Sequence, residues 1–311
     1  MMRVLFLALA LAACATAPGK LDPPAAAPEG AEAVSFDGRP LAAPVLSDAF
    51  RAEQEGLLAQ ARAVNAPEHP NAMADAAIWI GRRLGYLGRY QDSIAAFQEG
   101  ARSYPKDARF LRHLGHRYIT VRRLDDAIET LTRAEALMAA RPDEIEPDGL
   151  PNTASTPLST LKGNIAYHLG LAYYLRGDFD LAARVFERAA ALAANPDSAV
   201  AARYWLYLAY ARAGDARAAR LALAPIEANW PVIENTAYHW LTLCYANLGP
   251  CERDTEAMNA PQSAAIAYGL AAKALIEGRR AEARAMMQAI VDRGDWASFG
   301  AIAAEADLTR R

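Results

Sequence analysis

Between Met73 and Ala139 the chain writes one pattern twice. Ala77, Ile80, Gly81, Leu84, Gly88, Tyr90, Ile94 and Phe97 are answered by Leu111, Leu114, Gly115, Tyr118, Leu124, Ala127, Leu131 and Ala134, and Gly81 and Gly115 lie 34 residues apart. Apolar residues three and four apart mark one buried face of a helix, and a fixed period of this length marks a supersecondary unit repeated along the chain. A small residue in the first helix of each unit lets the second approach closely, and large apolar residues fill the seam. Each unit is a helical hairpin that buries its apolar face only against neighbours. The hydrophobic content of 53% supplies the surface for such a series of small cores.

The period and the skeleton of small, aromatic and aliphatic residues resemble the tetratricopeptide repeat. The resemblance implies an all-α, right-handed α-solenoid of antiparallel hairpins that binds a partner along its concave side without catalysis. A third match, Leu169, Gly170, Tyr173, Gly177, Phe179, Ala182, Phe186 and Ala189, puts Gly170 55 residues after Gly115, one period plus 21 residues. The extra residues fall at about 140–160, where Pro142, Pro147 and Pro151 forbid a continuing helix. Leu206, Tyr210, Gly214, Ala219 and Leu223 predict a fourth hairpin. A fifth is degenerate, a helix over Thr236–Gly249 with a weak partner near 252–258, and Ala267 to Ile290 form the last. Ser47 predicts the N-cap of a capping helix through Val64, and Trp296, Phe299, Ile302 and Ala303 a C-terminal helix closing the stack. The repeat domain is expected over 47–311.

Residues 1–13 hold Arg3 and then an unbroken apolar run from Val4 to Ala13, too short to span a bilayer and suited to a removed export signal. Leu11-Ala12-Ala13-Cys14 resembles the lipobox of bacterial lipoproteins, which implies lipidation at Cys14; Ala15 in place of an aspartate implies an outer-membrane anchor facing the periplasm. The alternative is ordinary signal cleavage after Ala17. Residues 14–46 are rich in Pro and Ala without a helical apolar period, so they are expected to form an extended tether.

A formal net charge of −3 excludes a sequence-wide basic excess and sets nucleic acid aside. The first helices are nevertheless locally cationic, with Arg82 and Arg83 in hairpin one, Arg109, Arg112, His113, His116 and Arg117 in hairpin two, and Asn164, Tyr167 and His168 in hairpin three. A guanidinium fork matches carboxylate and phosphate. Arg82, Arg112, His113, His116, Arg117, Tyr167 and His168 are therefore expected to line a groove for a protein partner or an anionic envelope polymer; the alternative is a solvated, salt-bridged face. Glu146, Asp148 and Asn152 of the insertion are expected to wall that groove, with carboxylates paired to Arg112, Arg117 or His116, unless the insertion is merely an exposed loop. A rival function, an enzyme or metal-dependent binder, would use His113, His116 and His168 with insertion carboxylates. No H-E-x-x-H, phosphate loop or G-x-S-x-G accompanies them, so no catalytic residue, metal or cofactor is assigned. A third reading puts binding on the convex face. Cys244 and Cys251 either bridge or remain free thiols, and Tyr204, Trp205, Tyr207 and Tyr210 are expected to pack an inter-helix seam.

Overall fold

Side chains cap several helices of this chain, and the first helix of each hairpin is followed by a residue in the left-handed conformation. The computed structural model describes residues 21, 24–252 and 260–310. Helix α1, Asp48–Arg62, starts under Ser47, whose hydroxyl accepts from the Phe50 amide. Five hairpins follow among the described residues: α2 (Pro70–Tyr86) with α3 (Tyr90–Ser103), α4 (Ala108–Thr120) with α5 (Leu124–Met138), α6 (Leu161–Arg176) with α7 (Phe179–Ala191), α8 (Pro196–Ala213) with α9 (Ala216–Leu223), and α11 (Ala260–Ile276) with α12 (Arg280–Asp292). Helix α10 (Thr236–Tyr245) packs on α8 and α11, while its expected partner near 252–258 lies almost wholly outside the described residues. The protein is an all-α helical-repeat solenoid.

The small residues make the close approach that the repeat requires. A β-carbon on Gly81 would stand 2.5 Å from the Phe97 ring, and one on Gly170 would stand 3.0 Å from the Phe186 ring. Both rings are fully buried, each worth about 1.5–3 kcal/mol on removal from water. Gly115 makes the same room for Leu131. First helices also touch one another, α2 on α4, α4 on α6 and α6 on α8, so they line one continuous face.

Two segments depart from the expected outline. The stretch 14–46 is not a tether throughout: β1 (Ala33–Val34) pairs antiparallel with β2 (Pro40–Leu41), and Ala33, Val34, Ser35 and Leu41 are buried. The Asp37-Gly38 turn, with Gly38 at φ 90°, is a strong hairpin signal that a composition argument passes over. The hairpin is fastened by the Phe36 amide donating to Glu305 at 2.7 Å and the Trp296 indole donating to the Ala42 carbonyl at 2.9 Å. Second, α13 (Phe299–Thr309) does more than close the end of the stack. It packs against α11 and α12 and reaches back to α6, with residues 300–306 all buried. The export signal and Cys14 lie outside the described residues.

Candidate functional site

The predicted basic residues do meet on the first-helix face, under cover. The insertion leaves α5, runs out and returns as a short antiparallel bridge in which the Glu146 amide donates to the Ser159 carbonyl at 3.0 Å and the Leu161 amide to the Glu144 carbonyl at 2.8 Å. That bridge aims Glu146 inward. Its carboxylate lies 2.9 Å from Arg112 and 3.7 Å from His113 Nε2, and it accepts from the Asn164 amide. Glu146 thus pairs with Arg112, as expected of the wall, but with His113 instead of Arg117 or His116. Arg82 donates to the Pro147 carbonyl at 2.8 Å and Arg83 to the Gly149 carbonyl at 3.0 Å. A side chain at Gly149 would have to displace the Tyr86 hydroxyl and the Arg82 guanidinium. Burial raises the pKa of Asp148, against the opposing charge of Arg82. Asn152 sits farther out and ties the loop to Glu234 at 2.6 Å.

The three histidines are packed as rings. His113 stacks on Phe97 at 5.2 Å, and His116 and His168 lie 4.5 Å apart with Phe299 against both. Burial, followed by the charges of Arg112 and Arg117, holds His113 and His116 well below the usual histidine pKa. Burial and then Arg112 do the same to His168. Their nitrogens are engaged: Arg117 meets His116 Nε2 at 2.8 Å, Arg112 meets His113 Nδ1 at 2.9 Å, and His168 Nδ1 meets the Asn164 carbonyl at 2.7 Å. Among the described residues no group of three His, Cys, Asp or Glu is placed to hold a metal ion.

Two cavities open on this face. One, about 340 Å³, lies between α6, α8 and α10, with Arg112, Asn164, Tyr167, His168, Tyr238 and Phe299 in its wall. The returning strand of the insertion, Leu158–Thr160, forms its rim. The other, about 130 Å³, lies between α2 and α4 and is lined by Arg82, Arg112, His113, His116 and Arg117 with Tyr86. Arg109 belongs to neither; Asp107 and Asp75 hold it at 2.6 Å each beside an open surface depression.

Sequence reasoning passed over Arg122 and Glu305. Arg122 is 1% exposed and Glu305 4%, and the two pair at 2.7 Å across 183 residues of chain. The only local signal was that Arg122 stands at the turn where the other hairpins carry glycine. Cys244 and Cys251 form a disulfide with α-carbons 5.0 Å apart, which pins the end of α10. Tyr204 and Trp205 are fully buried seam residues, Tyr207 stacks on Tyr245, and Tyr210 reaches Glu187.

No family model matches the chain, and no curated protein does. Among solved structures it is similar to YrrB, a TPR protein with an unusual peptide-binding site, at 16% identity over 70% of this chain and 85% of that one, TM-score 0.40. It is also similar to the nearly identical TPR-like repeats of a Podosopora anserina putative kinesin light chain, at 16% identity over 74% and 96%, TM-score 0.44. These are likenesses of architecture and extend to nothing bound.

Proposed function

We propose that the chain is a noncatalytic helical-repeat scaffold of the bacterial envelope, exported, anchored by lipid at Cys14, and holding a protein or anionic cell-wall partner on its first-helix face. Export and the anchor rest on the N-terminal sequence alone. The observation that carries the binding part of this reading is the cavity of about 340 Å³, which falls within the roughly 300–1,000 Å³ of ordinary ligand pockets. Three separately predicted residues, Arg112, Tyr167 and His168, meet in its wall. Aromatic rings beside a guanidinium and an amide give an apolar floor with a few convergent polar groups, the pattern that binds and orients a ligand.

The test plugs the cavity without touching the core. Ser159 lines the rim and contributes only its backbone carbonyl to the insertion bridge, so Ser159→Trp fills space while leaving that hydrogen bond in place. Wild-type and Ser159→Trp proteins, matched for helicity by circular dichroism, are used as baits in detergent-solubilised envelope. A partner captured by the wild type and lost by the variant is the expected result. Equal capture by both moves recognition off this face.

A further inference from the structure

We infer that the smaller cavity, between α2 and α4, is a binding site for a single tetrahedral oxyanion, the phosphate group of a phosphorylated ligand or of free phosphate. The inference concerns a different cavity from the partner reading, and Arg112 is the one arginine that lines both. Three guanidinium groups, Arg82, Arg112 and Arg117, line the cavity, and Arg83 lies just outside it, sharing the Trp79 ring with Arg82. Among the described residues only Glu146 lies within salt-bridge distance of any of them, and it serves Arg112. The hydrogen bonds of the remaining groups go to neutral acceptors, with Asp148 acting on Arg82 and Glu53 on Arg83 from beyond salt-bridge distance. Arg82 donates to the Pro147 carbonyl and the Tyr86 hydroxyl, Arg83 to Gln54 and the Gly149 carbonyl, and Arg117 to a histidine ring held neutral.

Buried charge without a counter-ion is unfavourable unless something neutralises it. Burial lowers the pKa of both Arg112 and Arg117, the expected mark of that penalty. The Arg112 Nε–H is buried and has no hydrogen-bond partner at all. Arg117 Nη1 occupies space that exists because residue 85 is glycine, since a β-carbon there would stand 2.9 Å from it. Room, donors and excess positive charge therefore coincide in one place. At about 130 Å³ the cavity is below the roughly 300–1,000 Å³ of pockets for whole small molecules, so it suits one functional group. Guanidinium groups converging from two helices match the several oxygens of a tetrahedral anion better than the two of a planar carboxylate.

The experiment is thermal unfolding of the full chain titrated with inorganic phosphate, glycerol 3-phosphate or acetate, each against chloride at equal ionic strength. A ligand that binds only the native state raises the melting temperature saturably. Phosphate or glycerol 3-phosphate is expected to do so, and acetate is not. The stronger of the two phosphates tells free phosphate from a phosphate carried on a larger molecule. Arg117→Gln should weaken the apparent affinity by about tenfold or more, the scale of a charged hydrogen bond. Gly85→Ala keeps every charge and presses the Arg117 guanidinium out of its place, with Ser93 Oγ next nearest at 3.4 Å, so it tests the site if Arg117→Gln fails to fold; it should weaken the response. Ser159→Trp should respond as the wild type. No saturable shift with either phosphate, a response unchanged in Gly85→Ala, or a larger shift with acetate would overturn the assignment.

Discussion

The turns of hairpins one and two are one backbone shape built from two different residues. Gly88 and Arg122 occupy equivalent positions one period apart, at φ 75° and φ 66°, and Gly177, Gly214 and Gly278 hold the same left-handed conformation in later hairpins. Glycine adopts it freely, whereas any other residue meets a steric penalty. Arginine persists there because its surroundings dictate the conformation. Its guanidinium is buried between Glu305 and the carbonyls of Thr120 and Trp296, and it lies over the Trp296 ring at 5.2 Å. Gly88 instead leaves an opening that Pro44 fills. One turn admits the N-terminal segment and the other clamps α13, so both exceptions in the fold are fastened at the same point of the repeat.

Removing the clamp should have the largest effect. Glu305→Ala strands a buried guanidinium and the Phe36 amide, and breaking one side of a buried pair costs about 3–5 kcal/mol. Arg122→Gly relaxes the turn but strands Glu305 in its place. The double variant removes both charges and frees the backbone, so urea unfolding should find it more stable than the sum of the single losses predicts. A loss under about 1 kcal/mol in Glu305→Ala, the value of an exposed pair, would mean that the clamp is idle.

Hairpin two, with hairpin three beside it, also carries the pH sensitivity. His113 and His116 on α4, with His168 on α6, have folded pKa values well below 6.5. As pH falls through 6.5 the unfolded chain takes up protons that the folded chain refuses, so stability is full above that range and is lost below it. Each histidine contributes up to about 1.4 kcal/mol per pH unit in the window between its unfolded and folded values. Asp148 and Glu234, whose pKa values burial raises, oppose this trend more weakly because both remain partly exposed. Urea unfolding at pH 7.5, 6.5 and 5.5 should show a steepening fall in stability. A flat profile from 6.5 to 5.5 would show that the rings protonate in place.

What could be read in the chain was whatever repeats or caps locally. The glycine period gave up the hairpins, Ser47 its helix, and the prolines of 140–160 the insertion, because each acts over a few residues. The cationic cluster was legible as a face, since Arg82, Arg112, His116 and Arg117 all lie on first helices. Its cover was legible only in part: Glu146 does reach Arg112, but which histidine it meets depends on where the bridge between Ile145 and Thr160 sets the strand. Helical period says nothing of Arg122 and Glu305, 183 residues apart. The β-hairpin was hidden for another reason: its composition is that of a disordered linker, and only Asp37-Gly38 argues otherwise.

The contribution of that docked segment can be isolated by comparing two alanines. Gly278 has φ 82° and nothing within 4 Å of where a β-carbon would stand, so Gly278→Ala reports backbone strain alone, about 1–2 kcal/mol. Gly88→Ala adds a β-carbon 2.6 Å from the Pro44 ring at nearly the same φ. Any excess loss therefore measures what it takes to push residue 44 away. An excess of about 1 kcal/mol, within the usual range for overpacking, should be accompanied by faster amide exchange at Glu32 and Ser35, whose N–H groups close the hairpin. If both substitutions cost the same and exchange is unchanged, Pro44 yields freely and the hairpin is held by Glu305, Trp296 and Gln91 instead. In that case hairpin one holds the segment through Gln91 on α3, and the opening at Gly88 serves only the turn.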